Sequence, residues 1–490
     1  MSSAASSSMQ GRARLGQLVP IVGFLAFVEF TSGVLQGYYT PMLTDIARHL
    51  RIHDADVNWL EGTQLMLSAL VVPAFAKLGD MFGHKRMLLW STALTALASL
   101  VLPFTDSFPV FLIAWALQGF YVVWLPLEIA LIWSRTRGRD GASLLTARAA
   151  GILVAALEFG AISGALVGGL LVDTLPLWVA LLVPAACVLA CFVVILVGVT
   201  EAQSVPGGKL DYIGLCLISI SLIAFTGGLS LLRLNGPGDP LAWGVTLLGC
   251  ALIVPFARYE LRHPDPLIDV RMFRSASLAP IFVTAGLFGV SVLGAQAPLS
   301  TFARTDPAVY GYGLGTTGFS TSLIIGCYLI AMIAGALLYS RVTRWLSPRD
   351  ALVCAAALVG IGYLLFIPMH ESYLQVVVNM CVAGVGSGAL VAALPAAAAS
   401  AAPAAQTGVA TGLTNSVKTV GGAVASAVFG IALMRGVTEG GTGLETAGSL
   451  AGYYTVWIVC GVTALAASML LFFVPKHAFT DQRTGSGVQP

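Results

Sequence analysis

Charge is what this chain has least of. Lysine, arginine, aspartate and glutamate together make up 10% of its 490 residues, where an ordinary soluble domain carries roughly 25%. That deficit excludes a water-soluble globular protein. A net charge of +2, with no long basic run, excludes a polynucleotide groove. Catalytic motifs are also missing. There is no G-x-x-x-x-G-K-[ST], so nothing points to nucleotide-driven work, and no H-E-x-x-H. The stretch GVGSG puts Ser387 one place off the G-x-S-x-G of serine hydrolases, inside an apolar run. The chain therefore reads as a non-enzyme without cofactor or metal. Its eight cysteines (Cys187, Cys191, Cys216, Cys250, Cys327, Cys354, Cys381 and Cys460) all fall within apolar runs, with neither zinc-site spacing nor disulfide context. They read as small packing residues.

What the chain has in abundance is apolar length. It is 57% hydrophobic with a mean hydropathy of +0.88, and apolar runs of membrane-spanning length recur from end to end. In lipid only helices and closed barrels satisfy their own backbone, and these runs are continuous rather than alternating. The expectation is an all-α membrane protein with fourteen spans, the first at about 18–40 and the last at about 451–474. Eighteen basic residues then fall on the side of both termini and five on the other, with Arg148 and Lys418 inside spans. That is the asymmetry of a chain whose termini are cytoplasmic. The two most polar connections, 200–211 and 257–275, divide the spans into six, two and six. The expected organisation is a tail over 1–17, a six-helix bundle over 18–200, a linker with two further helices over 201–276, a second six-helix bundle over 277–476, and a tail over 477–490.

Residues 76–87, AKLGDMFGHKRM, interrupt this apolar pattern between the second and third spans. Gly79 and Gly83 permit a tight turn, Asp80 can cap a helix or pair with a base, and Lys85 and Arg86 fix orientation. The stretch LGDMFGHKRML resembles the signature loop of the major facilitator superfamily, G-x-L-a-D-R-x-G-R-K-R. Leu78, Asp80, Gly83, Lys85 and Arg86 match; Ala76, Met81 and His84 depart. The resemblance implies two six-helix bundles rocking about a midplane site, with Asp80, Gly83, Lys85 and Arg86 at the cytoplasmic gate.

Three further stretches resemble one branch of that superfamily, the fourteen-helix drug:proton antiporters. They are HPDPLIDVRMFRS at 263–275, GVATGLTNSVKTVGGAVASAVFGIAL at 408–433, and ALEFGAISGALVGGLL at 156–171. The last resembles the antiporter motif G-x-x-x-G-P-x-x-G-G, matched by Gly160, Gly164, Gly168 and Gly169, with Ala165 in place of proline. Glycines spaced by four also serve close helix packing. In the fourth span, WALQG resembles a motif in which arginine precedes A-L-Q-G; here Trp115 holds that position. Glu29-Phe30-Thr31 resembles the D-x-T of the branch's first helix.

Five ionisable residues lie well inside spans: Glu29, Glu128, Arg148, Glu158 and Lys418. Charges there cost roughly 2.5–3.5 kcal/mol each at a helix centre, so each is a functional candidate. Glu128 and Arg148 lie at similar depth on neighbouring spans and are expected to pair, as a structural lock or as a gating pair. Glu29 and Glu158 sit nearer mid-membrane, where a carboxyl can load a proton or attract a cation. The four candidates for proton coupling are Glu29, Glu158, Glu128 and Arg148. Candidates for the substrate cavity are Gln36, Tyr39, Trp115, Gln118, Tyr121, Trp124, Asn379 and Lys418. The expected protein is a monomeric secondary transporter of the inner membrane that exchanges protons for drug-like small molecules. The alternative is a narrow transporter of one metabolite or lipid, not necessarily coupled to protons. The expected partners are protons, a small-molecule substrate and the bilayer, and no nucleic acid.

Overall fold

The computed structural model describes residues 19–136, 142–201, 211–264, 266–402, 407–434 and 447–473. Every regular element among them is helical. In chain order we name α1 (Val19–Tyr38), the short α2 (Leu43–Leu50), α3 (Val57–Phe82), α4 (His84–Val101), α5 (Phe108–Gln118), α6 (Trp124–Thr136), α7 (Ala142–Thr174), α8 (Leu177–Gly198), α9 (Tyr212–Asn235) and α10 (Pro240–Glu260). Then follow α11 (Ala279–Val292), α12 (Gln296–Arg304), α13 (Gly318–Val342), α14 (Pro348–Leu364), α15 (Tyr373–Ala401), α16 (Thr407–Met434) and α17 (Leu450–Phe472). Polar residues placed between apolar runs start these helices. Asp211 and Asp239 cap α9 and α10, Ser347 caps α14, and Ser372 with Gln375 forms a capping box on α15.

Twelve helical segments among the described residues are long and apolar enough to cross a membrane. Their outward faces carry bare apolar side chains such as Trp90, Leu97 and Ile223, each more than 60% exposed, which suits lipid and not water. α1, of 20 residues, and α14, of 17, pack among them. Two of the expected spans are not continuous. The fourth span is broken by the 3-10 segment Gly119–Val123 between α5 and α6, and the ninth, the first of the second bundle, is broken at 293–295 between α11 and α12.

The buried apolar residues form two large cores. One runs from Val22 to Val199 and the other from Met272 to Leu471. Each also recruits one residue from the opposite part of the chain, Ala297 in the first and Ala55 in the second. Within the first core α1 and α7 pack backbone to backbone. A Cβ on Gly160, Gly164 or Gly168 would collide with the carbonyls of Phe30, Val34 or Tyr38, and one on Gly33 or Gly37 with those of Leu157 or Ala161. The matching seam in the second core joins α11 and α16, where Gly289 and Gly421 face the carbonyls of Lys418 and Gly286. Gly160→Leu should therefore abolish monodisperse protein in detergent. Gly151→Leu, on the same helix with nothing within 4 Å of an added Cβ, should leave it unchanged. Equal yields would contradict this packing.

α9 and α10 form a hairpin that lies against α3 and α16, with Leu229, Leu232 and Ala242 packed on Trp59 and Ala427. Arg233 pins it there. Its guanidinium reaches Asp56 at 2.5 and 2.7 Å and lies over the rings of Trp59 and Phe108.

Candidate functional site

The helix breaks meet at one place. Tyr39 follows the last residue of α1, Tyr121 lies in the 3-10 segment between α5 and α6, and Leu293 lies in the break between α11 and α12, with Gln296 just past it. These four line one cavity together with Leu35, Gln36, Glu61, Gln64, Leu65 and Trp115. Carbonyls freed by a break need donors in a medium without water, and polar side chains supply them. Ser68 donates to the Gly119 carbonyl at 3.1 Å, Gln64 to that of Trp115 at 3.4 Å, and Gln296 to that of Val292 at 3.0 Å. Aromatic rings build the wall. Trp115 packs on Tyr39 with centroids 4.8 Å apart and stacks on Phe111 at 5.9 Å.

Glu61 is the acid of this cavity. It is not among the sequence candidates, because the apolar run of the second span begins at Trp59 and leaves Glu61 at its edge. In the structure a 3-10 turn over Asp54–Asp56 leads into α3 at Val57, and α12 packs across that end. The missed signal was the acidic pair Asp54 and Asp56 just ahead of the apolar run, which marks a helix start.

Glu29 on α1 and Glu128 on α6 form a second feature. Both are fully buried, and their carboxyls lie within hydrogen-bonding reach of each other. Neither receives a hydrogen bond from another group among the described residues. Two anions in contact without a base repel; one proton held between them removes the repulsion and supplies the hydrogen bond. The expected Glu128–Arg148 pair is not formed. Arg148 is exposed on α7, because the glycine seam turns the Gly160–Gly164–Gly168 face of α7 toward α1, and Arg148, twelve residues before Gly160, lies about 120° around the helix from it. Tyr121, in the segment that leads into α6, lines the same cavity as Glu61.

Beyond the cavity the two cores are sealed at one end. Arg304, at the end of α12, donates to both oxygens of Asp45 on α2 at 2.7 and 2.8 Å and stands 3.6 Å from Asp173 at the end of α7. Asp173 in turn accepts from the backbone of Gly318 and Phe319, each at 2.8 Å, capping α13. Ser300 donates to the Thr40 carbonyl at 2.5 Å and Ser322 to that of Ala165 at 2.7 Å. Burial raises the Asp45 carboxyl above its ordinary pKa, and the neighbouring Arg304 and Arg48 pull it back down. Gly169 belongs to this seal rather than to the α1–α7 seam, since its added Cβ would strike Ser322 and Gly318. None of the sealing contacts had a local sequence signal: Asp45 and Arg304 are 259 residues apart.

Asp80 and its loop lie at the opposite end. Gly83 takes a φ of +104° at the corner between α3 and α4, a conformation that favours glycine. The carboxylate of Glu201 accepts from the backbone of Lys85 and Arg86 at 3.0 and 3.1 Å, capping α4 from beyond α8. The Lys85 ammonium donates to the Leu196 carbonyl at 2.9 Å. Asp80 is 70% exposed and stands 3.2 Å from the His84 Nε2. Of the remaining candidates, Gln118 is a brace, donating to the Tyr39 hydroxyl at 2.8 Å and to Ser99 at 2.9 Å. Trp124 is wholly buried against Tyr121. Asn379 donates to the Met369 carbonyl at 2.6 Å and does not line the cavity. Lys418 lies near the middle of α16, half-buried, and does not line the cavity.

A helical membrane protein with two cores, broken helices and a cavity between them has the form of a secondary transporter. The sequence profile of the Major Facilitator Superfamily matches residues 25–426 and 286–488, and the chain belongs to that superfamily. It is 24% identical over 396 residues to an uncharacterized MFS-type transporter, YfiU, of Bacillus subtilis, covering 74% of this chain and 71% of that one. It is 25% identical over 397 residues to the drug efflux pump JefA of Mycobacterium tuberculosis, covering 78% and 72%. Among solved structures, a peptide transporter of the POT family superposes with a TM-score of 0.67 at 17% identity, over 92% of this chain and 95% of that one; that likeness is one of fold. The protein is thus a multi-pass membrane transporter of small organic solutes, not an enzyme.

Proposed function

We propose that the chain is a proton-coupled exporter of drug-like, lipophilic cations from the cytoplasm, working as a monomer in the inner membrane. α1 to α8 and α11 to α17 would form the two six-helix bundles, with the α9–α10 hairpin as the inserted pair, giving fourteen spans with both termini cytoplasmic. The sealed end then faces outward and the Asp80 loop inward. One observation carries this reading: the aromatic cavity that holds Glu61 is walled by α1 and by the segment leading into α6, the same elements that carry Glu29 and Glu128, two fully buried carboxyls without a base. A cation at Glu61 adds positive charge beside the pair and favours its ionised form, so substrate entry releases the proton and proton entry releases the substrate. Aromatic faces add about 0.5–2 kcal/mol of cation attraction. The likeness to a drug efflux pump supports the outward direction.

The test is the rate of rhodamine 6G uptake, driven by a pH gradient, into proteoliposomes. Glu61→Gln should raise the half-saturating dye concentration at least about tenfold, the equivalent of losing ~1.4 kcal/mol of charge pairing. An unchanged half-saturation would remove Glu61 from the site.

A further inference from the structure

The α9–α10 hairpin contributes no buried residue to either large core, and its two spans are the least buried of the twelve, at 22% each. Among the described residues it is the part most open to lipid. Arg233, near the end of α9, meets Asp56 at the start of α3, so α10 runs back and ends on the side of the Asp80 loop. The charges at that end are sorted across the hairpin. The acids turn inward. Asp211 and Glu260 are 3% and 1% exposed, and both close on Gly214 of α9, where an added Cβ would lie 2.4 Å from the Asp211 Oδ2 and 2.3 Å from the Glu260 Oε1. The bases turn outward. Arg258 and Arg262 are exposed, and neither guanidinium has a hydrogen-bond or ion-pair partner among the described residues. Glu260 does not neutralise them, since residues two apart do not share a helix face.

The two arginines line an open groove of about 400 Å³ with Pro255, Tyr259, His263 and Pro264. Its shape comes from the way α10 stops. The N–H groups of Arg262 and His263 both donate to the Tyr259 carbonyl, at 3.0 and 3.1 Å. That curls the chain back over the last turn and sets the His263 ring 5.4 Å from the Tyr259 ring. The Tyr259 hydroxyl donates to the Asp211 Oδ1 at 3.0 Å, which ties the groove floor to α9. An apolar track leads into the groove along α10. Stepping back from Arg258 by three and four residues reaches Pro255, Ala251, Leu248, Gly244 and Leu241, all on one helix face. Leu248 and Leu241 are 54% and 64% exposed, and nothing lies within 4 Å of an added Cβ at Gly244. From Leu241 to Pro255 the track runs about 21 Å, more than one leaflet of a hydrocarbon core of roughly 30 Å.

We infer that this groove binds an anionic phospholipid, with the phosphate between the guanidinium groups of Arg258 and Arg262 and an acyl chain along the track toward Leu241. A soluble anion makes no use of the track, and an apolar tail makes no use of two unpaired arginines. A phospholipid uses both. Guanidinium forks match phosphate oxygens with paired hydrogen bonds, and basic pockets at the membrane surface hold anionic headgroups. A choline headgroup brings a cation that the two arginines repel, so a headgroup of net negative charge is selected. The groove shares no residue with the Glu61 cavity, and the inference does not depend on what is transported.

Native mass spectrometry of the purified full-length protein tests this, with dioleoyl phosphatidylglycerol, dioleoyl phosphatidylcholine or glycerol phosphate titrated into the detergent solution. The wild type should half-saturate with phosphatidylglycerol at a concentration at least about tenfold below that for phosphatidylcholine. One arginine at an anionic lipid surface strengthens binding about fivefold. Arg258→Gln with Arg262→Gln should therefore raise the phosphatidylglycerol value about thirtyfold. Each single variant should raise it about fivefold, which serves if the double variant does not fold. Arg341→Gln with Arg344→Gln, two exposed bases at the end of α13 and outside the groove, should change it less than about twofold. Equal values for the two lipids in the wild type would overturn the inference, as would an unchanged value in the Arg258 and Arg262 variants. An equal loss in the Arg341 and Arg344 variant would mark general surface charge and overturn it. Glycerol phosphate that displaces phosphatidylglycerol at equal concentration would show a site for a free phosphate ester and overturn the lipid.

Discussion

Glu29→Gln and Glu128→Gln will each abolish the uphill accumulation of dye driven by a pH gradient. One-for-one exchange against a gradient of two pH units sustains about a hundredfold dye ratio, because each unit is worth a factor of ten, or ~1.4 kcal/mol. Either amide keeps the shape of the site and removes one proton-binding oxygen. The paired carboxyls have no base against them and no other donor among the described residues, so the new amide N–H donates to the surviving carboxylate and holds it ionised rather than protonated. The ratio at steady state should fall to about one, while dye still equilibrates down its own gradient. Accumulation near the wild-type ratio in both variants would show that protons are carried elsewhere, with Glu158 the next group to test.

The second large effect is at the sealed end. Arg304→Met leaves Asp45 and Asp173 facing each other without their shared cation. Arg304 is 10% exposed, and the two acids 22% and 26%. Breaking a pair this deeply placed costs on the order of 3–5 kcal/mol, so the balance between sealed and unsealed forms should move by about a hundredfold or more toward unsealed. A cysteine introduced by Gln36→Cys, on the cavity wall, should then react with a membrane-impermeant maleimide from that side about a hundred times faster. The pH dependence has a defined sign. Burial raises the Asp45 carboxyl in the sealed form, and without Arg304 nothing on that residue's side offsets the shift except Arg48. A group whose pKa is raised in one form favours that form as pH falls. Sealing in Arg304→Met should recover on acidification, from above the raised value down toward the ordinary carboxylate range, and be weakest at neutral pH. Labelling at the wild-type rate, or labelling that accelerates on acidification, would contradict this account of the seal.

Helix content and membrane placement were legible in sequence because apolar runs and caps are local signals. So was the α1–α7 seam: glycines at 160, 164 and 168 fall on one helix face, and that face meets α1. Glu29, Tyr39, Trp115 and Tyr121 were also legible, as polar or aromatic residues where lipid tolerates few. The helix breaks were not. Gly119–Val123 reads as a continuous apolar run, and what holds it open is Ser68, fifty-one residues earlier, donating to a freed carbonyl. The true partner of Glu128 was hidden for the same reason. Matching depth suggests Arg148, but rotation about the helix axis decides which side chain meets which, and the rotation of α7, which carries Arg148, is set by the backbone contact of Gly160 with α1. Glu201, which caps α4 from beyond α8, and the Arg304 network have partners a hundred residues or more away, beyond the reach of any local pattern.

The most direct measurement is proton release on substrate binding by the purified protein in weakly buffered detergent, read with a pH-sensitive dye as rhodamine 6G is added. The account predicts release of about one proton per bound dye in the wild type and none in Glu29→Gln or Glu128→Gln, with Glu61→Gln shifting the titration to higher dye concentration. Saturable dye binding without proton release in the wild type would contradict exchange at the Glu29–Glu128 pair.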